Sequence, residues 1–521
     1  MFQHSIRIEE KDKMTESSRT NERKDSLTAH IAVNAGYSVF GVGAQKSIRY
    51  IVAFILTNML GASLYGEYSL GMSITDIAKI FIILGMNYGA IRYISYYLGK
   101  DDISGIKGAL QFFLLTVGGL SLVISVVFYL LAPTIAGDVY QKPQMTKVLQ
   151  ILAFALPPMS IVFLMSAIFK GFQQIKYRVL ISDIVLPLLS GLFFSAAWYF
   201  SKSLITVMYL VLIINIIGVI LASYFLLKIF PQIKDNSVKP SSNNKEIFFY
   251  SLPLFMSVFL NIFLNRTDVL MLGYFGSTAD VGIYSLAAKL SQVVFIISAS
   301  VYGIFAPVVS ELFAKDDRSR LRKIFVQSTR YSAIVTVPIF GALILSQKAI
   351  LSVFGEEFTN GAEVLLILGL AFLINSILGF AGQMISMSGR SKLVLMNSVG
   401  GAGLNILLNW FFIPKWGMAG AAWATMIATI AVNAARVTEV LYYEKMHAFS
   451  FKLLKPILLG GFVLFLIMQI ELTSIPEVWV GLTKTLIFCF TYALIGFFLI
   501  ITDDDKQILN GLLQKFKRRK V

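Results

Sequence analysis

The sequence predicts an all-α polytopic membrane protein of about fourteen transmembrane helices, and three observations predict it. Of the 521 residues, 56% are hydrophobic and only 14% are charged, where soluble domains carry about 25% charged residues. Mean hydropathy is +0.74. Apolar stretches of about 20 residues recur from residue 31 to residue 502, each long enough to cross a hydrocarbon core of about 30 Å as a helix. The basic residues between those stretches favour alternate sides, as the connections of a multi-pass protein do. In lipid the backbone must satisfy its own polar groups, so a spanning chain is helical or forms a closed barrel. Runs this long without period-two alternation exclude the barrel.

The spans fall near 33–60, 66–97, 105–132, 147–170, 178–200 and 204–229, then 247–273, 281–313, 324–347, 362–388, 391–413 and 417–441, and finally 452–470 and 478–502. Residues 1–30 are polar with mixed charge and read as a disordered cytosolic tail rather than a signal peptide. With the N-terminus cytosolic, the internal connections hold 19 lysines and arginines against 6 on the outer side. A wrong count of spans would scramble that alternation, so with fourteen spans both termini are expected in the cytosol and the chain in the cell membrane. The net charge of +16 is then largely a topology signal and calls for no nucleic-acid partner. The basic tail 503–521, with Lys515, Lys517, Arg518, Arg519 and Lys520, suits anionic membrane lipids.

Residues 59–70, MLGASLYGEYSL, and 271–286, MLGYFGSTADVGIYSL, share a helix end at Leu-Gly followed by Gly-x-Tyr-Ser-Leu, and KYRVLISD at 176–183 matches RSKLVLMN at 390–397. The offsets lie between 212 and 216, which equals six spans. An even number keeps both halves in the same orientation, a parallel repeat about the membrane normal. The expected organisation is an N-lobe at 31–230, a cytosolic linker at 231–246 carrying Pro231, Pro240 and a Ser-Ser-Asn-Asn run, and a C-lobe at 247–445. Spans 13 and 14, at 446–502, fall outside the repeat.

Several charges inside the spans are not explained by topology. An ionised group at the centre of a span costs about 2.5–3.5 kcal/mol on insertion scales, so those retained usually face protein or water. Arg92, Arg330, Asp183, Arg436 and Glu439 lie within about two turns of the cytosolic face, where long chains snorkel. Lys46 and Arg49 lie deeper, about 17–21 Å from the outer end of span 1. Asp76 and Lys79 repeat the three-residue spacing on span 2, so that Asp76 is placed to pair with Lys46 or Arg49. Arg266 and Asp268 on span 7 and Lys289 on span 8 form a second group, with Asp268 placed to pair with Lys289. Asn405 and Asn409 share one face of span 11, which suits interhelical hydrogen bonding or a cavity wall. The expected cavity set is therefore Lys46, Arg49, Lys79, Arg266, Lys289, Asn405 and Asn409, with Asp76 and Asp268 as ion-coupling carboxylates or ion-pair partners. Its surplus of positive charge suits a phosphate or pyrophosphate.

The remaining chemistry is mostly exclusion. The lone Cys489 forms no intrachain disulfide, and His4, His30 and His447 are too dispersed to hold a metal. Nucleotide-binding loops and nucleophile–base pairs are not found, so no cofactor, metal or catalytic residue is assigned and the chain reads as a transporter rather than an enzyme.

Residues 250–290, YSLPLFMSVFLNIFLNRTDVLMLGYFGSTADVGIYSLAAKL, resemble the seventh and eighth helices of polysaccharide and oligosaccharide lipid flippases, the Wzx-like branch of the multidrug/oligosaccharidyl-lipid/polysaccharide exporter superfamily. Residues 59–98 and 386–425 are similar to the corresponding segments. The resemblance implies two six-helix lobes in a V around a cationic cavity, with two added C-terminal helices helping to form a lipid-facing groove. It implies alternating-access translocation of a polyprenyl- or dolichyl-(pyro)phosphate-linked oligosaccharide from the cytosolic to the outer leaflet, for surface polysaccharide or glycoconjugate synthesis. Expected partners are that lipid-linked oligosaccharide, membrane lipids, an H+ or Na+ counter-ion, and glycosyltransferases or a polymerase of a glycan pathway. A cation-coupled multidrug exporter of the same superfamily and a lipid II flippase are the competing readings. The basic cavity argues against the former and the Wzx-like stretch against the latter.

Overall fold

The computed structural model describes residues 2–471 and 477–500, all helix, turn and connection with no strand among them. The basic tail at 503–521 lies outside the described residues. The first helix, Phe2–Ile83, begins inside the segment whose composition suggests a disordered tail.

Eleven of the described helices are long and apolar enough to cross a membrane. Two of them each cover two of the expected spans. Phe2–Ile83 is interrupted at Gly61 (φ 70°, ψ 179°) and Ser391–Glu444 at Gly417 (φ 55°, ψ −133°). Both glycines sit where the sequence places a connection, in conformations a side chain disfavours. The helix Asn244–Phe275, 32 residues long and carrying Arg266 and Asp268 towards its C-terminal end, corresponds to span 7 and is not among the eleven.

The outward faces are as apolar as the interior. In Ile103–Thr134 the buried positions include Gly105, Ala109, Phe113, Val117, Ser121, Ser125 and Phe128, a helical stripe. Leu115, Leu122, Val126 and Leu130 lie exposed on the other side. A helix apolar all round suits lipid as its solvent, with small residues and hydroxyls turned inward.

The chain divides into two compact units. One comprises residues up to Leu56 together with Thr75–Asp138 and Lys142–Phe259. Within it Thr146–Gly171 packs against Met86–Gly99, Ile103–Thr134 and Leu204–Ile229. The segment read as a linker is docked here: the Lys107 amine, 4% exposed, donates to the Asp235 carbonyl at 2.6 Å, and the Ser241 amide donates to the Ser104 carbonyl at 3.0 Å. The other unit comprises Thr57–Ile74, Val139–Gln141 and the chain from Leu260 onward. Its helix Arg318–Val353 packs against Val293–Ala314, Ala362–Leu378, Phe451–Met468 and Glu477–Leu499. Phe488 and Tyr492 join Val337, Leu459 and Val463 in one buried cluster, and the Tyr492 hydroxyl donates to the Ile334 carbonyl at 3.1 Å. The two helices beyond the repeat are thus part of this unit's core.

Candidate functional site

The second unit gathers polar groups around one carboxylate. Asp268, on Asn244–Phe275, accepts four hydrogen bonds. Asn409 Nδ2 donates to Oδ1 at 2.7 Å and Asn405 Nδ2 at 3.2 Å. Thr425 Oγ1 donates to Oδ2 at 2.6 Å and the Tyr284 hydroxyl at 2.7 Å. Asn405 and Asn409 lie one turn apart on one face of Ser391–Glu444, Thr425 lies beyond the Gly417 kink, and Tyr284 comes from Thr278–Ser291. That last helix is started by a capping box in which Ser277 and Asp280 exchange hydrogen bonds. Three helical elements therefore supply donors to the two oxygens. Asn409 Oδ1 is buried with no hydrogen-bond partner among the described residues. A carboxylate with two side-chain amides and two hydroxyls can hold and release a proton, or, with the amide oxygens turned towards it, ligate a hard monovalent cation.

Lys289 is not paired with Asp268: its ammonium donates to the Tyr65 hydroxyl at 3.1 Å and lies 5.7 Å from that ring's centroid. Arg266 is half-buried on the same helix as Asp268.

The first unit holds the other candidates. Asp76 takes Lys79 of its own helix at 2.6 Å, an i,i+3 pair. Lys46 and Arg49, the partners that span geometry suggests for Asp76, have no carboxylate at ion-pair distance among the described residues. The Lys79 ammonium also lies 5.8 Å from the Phe163 ring centroid.

Asp183 departs from its sequence reading. Two turns from the membrane face it was expected to be solvated by snorkelling, yet it is 1% exposed. Gln45 Nε2 donates to Asp183 Oδ1 at 3.0 Å and to the Ser182 carbonyl at 3.2 Å. Arg178 lies 3.4 Å from the carboxylate. Aspartate is too short to reach solvent from a buried helix face, which is the physical reason the snorkelling argument fails for it, and Arg330, 4% exposed, departs from the same reading. Tyr284 and Thr425 were also missed. Tyr284 carries a signal, since it is the tyrosine of the repeated Gly-x-Tyr-Ser-Leu; Thr425 carries none.

Among the described residues no group of three or more histidine, cysteine, aspartate or glutamate side chains is placed to hold a metal.

The family model described as polysaccharide biosynthesis protein matches residues 31–313, more than half of the chain. The chain belongs to the polysaccharide biosynthesis protein family. The MatE family model also matches, over residues 253–411. A curated relative, the probable low-salt glycan biosynthesis flippase Agl15 of Haloferax volcanii, is 29% identical over 204 residues. That match spans 39% of this chain and 43% of the relative, less than half of either. Among solved structures, the lipid II flippase MurJ in an inward closed conformation superimposes with a TM-score of 0.66 at 17% identity, covering 89% of this chain and all of that one. An inward-facing transporter of the multidrug resistance MATE family superimposes with a TM-score of 0.64 at 11% identity, over 77% and 94% of the two chains. At such identities the structures establish the shared fold.

Proposed function

We propose that this polysaccharide biosynthesis family member is a flippase that carries a polyprenyl- or dolichyl-(pyro)phosphate-linked oligosaccharide from the cytosolic to the outer leaflet. The observation that carries this reading is the state of Lys46 and Arg49. Both lie on one helix, in a segment apolar enough to span the bilayer, and neither has a carboxylate at ion-pair distance among the described residues. Two such cations are costly in lipid and favourable beside a phosphate. The family match and the name of the Haloferax relative support a glycan as the rest of the cargo.

On this reading the chain lies in the cell membrane with both termini cytosolic, and residues 31–230 and 247–445 act as the two lobes of alternating access. Lys79, Arg266, Lys289, Asn405 and Asn409 line the substrate path. Asp268, ringed by neutral donors rather than by a cation, is the coupling carboxylate for H+ or Na+, while Asp76 is the structural partner of Lys79. Glycosyltransferases or a polymerase supply and consume the lipid-linked glycan.

The test is transbilayer movement of lipid-linked oligosaccharides in vesicles holding the purified full chain. Movement above a Lys46→Ala, Arg49→Ala double variant is expected; equal rates in both would remove the reading. Export of lipophilic cations by the same vesicles, with no glycan movement, would favour the multidrug exporter instead.

A further inference from the structure

The first unit contains a second charged cluster, which shares Arg49 with the expected cavity and adds Lys170 and Arg178. Just after the helix Thr146–Gly171, the chain enters a four-residue turn of helix at Ile175–Arg178 and then a wide π-helical stretch at Val179–Val185. Pro187 follows at the start of Leu186–Phe200. A proline lacks the N–H that would bond the carbonyl four residues back, and its ring collides with that carbonyl in a regular α-helix. Opening the preceding turns relieves the collision, and such π-turns recur at functional sites.

The wide turn carries Asp183 inward, where Gln45 and Arg178 meet it. Ser182 and Ser166 share a hydrogen bond at 2.7 Å that ties the turn to the neighbouring helix. Three cations, Arg178, Arg49 and Lys170, are close enough to act electrostatically on this one carboxylate. Lys170 and Arg178 also repel each other. Only Arg178 is within ion-pair distance of Asp183; Arg49 and Lys170 have no such partner among the described residues and are exposed. Three positive charges against one fixed negative charge leave room for a doubly charged anion.

We propose that Arg49, Lys170 and Arg178 form a phosphate-holding subsite, with Gln45 and Asp183 fixing the Arg178 side of it. Its ligand is the phosphate of a prenyl-linked headgroup at the cytosolic end of the first unit. This rests on the flippase reading, because that reading supplies the lipid phosphate and the sidedness. Arg178 and Arg49 offer planar donor forks and Lys170 a point charge, the combination that holds phosphate oxygens. Arg49 lies deeper along its helix than Lys170 and Arg178 lie on theirs. A phosphate held by all three is therefore already on the way inward.

The experiment uses the purified full chain in phosphatidylcholine nanodiscs, with geranylgeranyl phosphate as the probe and geranylgeraniol and inorganic phosphate as comparison ligands. Geranylgeranyl phosphate is expected to bind at least about tenfold more tightly than geranylgeraniol, and Lys170→Gln and Arg178→Gln are each expected to lose about tenfold in affinity. Lys170→Arg restores binding, and Lys202→Gln, far along the chain from the cluster, leaves it unchanged. Lys170 is exposed, so its substitution tests charge without risking the fold; thermal melting checks this for Arg178→Gln. Inorganic phosphate that displaces the probe and weakens in the same variants supports the shared phosphate chemistry. Inorganic phosphate binding more tightly than the prenyl phosphate assigns the site to free phosphate and overturns the lipid headgroup. Wild-type affinity in both glutamine variants, or equal affinity for geranylgeraniol, overturns the subsite itself. Phosphate binding that depends on these residues, in vesicles that move no glycan, rejects the flippase reading and leaves the subsite standing.

Discussion

Gly66 and Gly282 hold two helices at backbone contact, each against the residue four positions before the other. A Cβ on Gly66 would lie 1.7 Å from the Thr278 carbonyl oxygen, and one on Gly282 would lie 2.1 Å from the Ala62 carbonyl oxygen. The two glycines are the second glycines of the internal repeat, and the two carbonyls stand at the same spacing of 216 residues. The contact is thus reciprocal, as a two-fold axis requires of residues it relates. Small residues give membrane helices this closeness because apolar surface alone does not drive them together in lipid. Beside the crossing, Ser63 Oγ and Thr278 Oγ1 share a hydrogen bond of 2.7 Å, and the Ala62 amide donates to Glu357 at 2.9 Å.

A crossing built on repeat-related residues is the natural place for a transporter to part and re-form. Ser63→Cys with Thr278→Cys, in a Cys489→Ser background, is expected to form a disulfide on mild oxidation, because the two hydroxyls already lie within the reach of such a bond. Vesicle transport should fall to background when the bridge forms and return on reduction. Undiminished transport with the bridge demonstrably formed would mean that these helices need not separate.

Asp268 gives a prediction about energy coupling. Its four donors lie on three helical elements, so an ion or proton arriving at the carboxylate alters how those elements are held together. Wild-type transport is expected to respond to an imposed pH gradient or an imposed Na+ gradient, and Asp268→Asn to neither. Thr425→Val removes one donor and should lower stability by about 1 kcal/mol, seen as a lower melting temperature, with a weaker response to the gradient. An identical gradient response in wild type and Asp268→Asn would exclude this coupling role.

The spans and the repeat were legible because both are written in one dimension. Hydropathy marks each span, and Gly66 and Gly282 recur with their Tyr-Ser-Leu neighbours. Asn405 and Asn409 were legible as a polar pair because a spacing of four fixes their common face. Their convergence with Tyr284 and Thr425 on Asp268 was hidden, since it depends on how separate helical elements come together. Distance along a helix also misjudged Asp183. Depth from the membrane face says nothing about which neighbour covers a side chain, and Lys107, one of the 19 basic residues counted on the inner side, is covered by the chain at Asp235. The 19-to-6 charge asymmetry counts such residues as topology markers without revealing that some are also structural.

Glu444 is another charge with a structural partner set. Its carboxylate, 2% exposed, bonds Arg318 on one oxygen and Arg390 on the other. It thereby joins the start of Arg318–Val353 to both ends of Ser391–Glu444. Arg390 also stacks 4.8 Å from the Tyr443 ring centroid. Because both arginines are partly exposed, their share is screened, and Glu444→Gln is expected to cost about 1–3 kcal/mol rather than the larger figure for a fully buried pair. Combining it with Arg318→Met should cost less than the sum of the single variants, because they remove the same interaction. Strict additivity in thermal melts would show that the two side chains do not act together.

The docked segment after the first unit's last long helix offers the simplest test. Lys107 carries a buried ammonium whose hydrogen bond to the Asp235 carbonyl, at 2.6 Å, pins the segment across the start of Ile103–Thr134. Asp235 is itself held in a turn: its carboxylate accepts from the Ser237 hydroxyl at 2.7 Å and amide at 2.9 Å. Those two bonds keep its carboxyl below the ordinary aspartate pKa. Lys107→Met keeps the aliphatic length and removes the donor, so the segment loses its anchor while the helix packing stays. A lost hydrogen bond of about 1 kcal/mol raises the open population about fivefold, and limited trypsin should cleave after Lys234 or Lys239 faster by that factor. Melting temperature should change little, since the bond secures a surface segment rather than the core. Unchanged cleavage would mean that the amide of Ser241 on the Ser104 carbonyl is sufficient to hold the segment by itself.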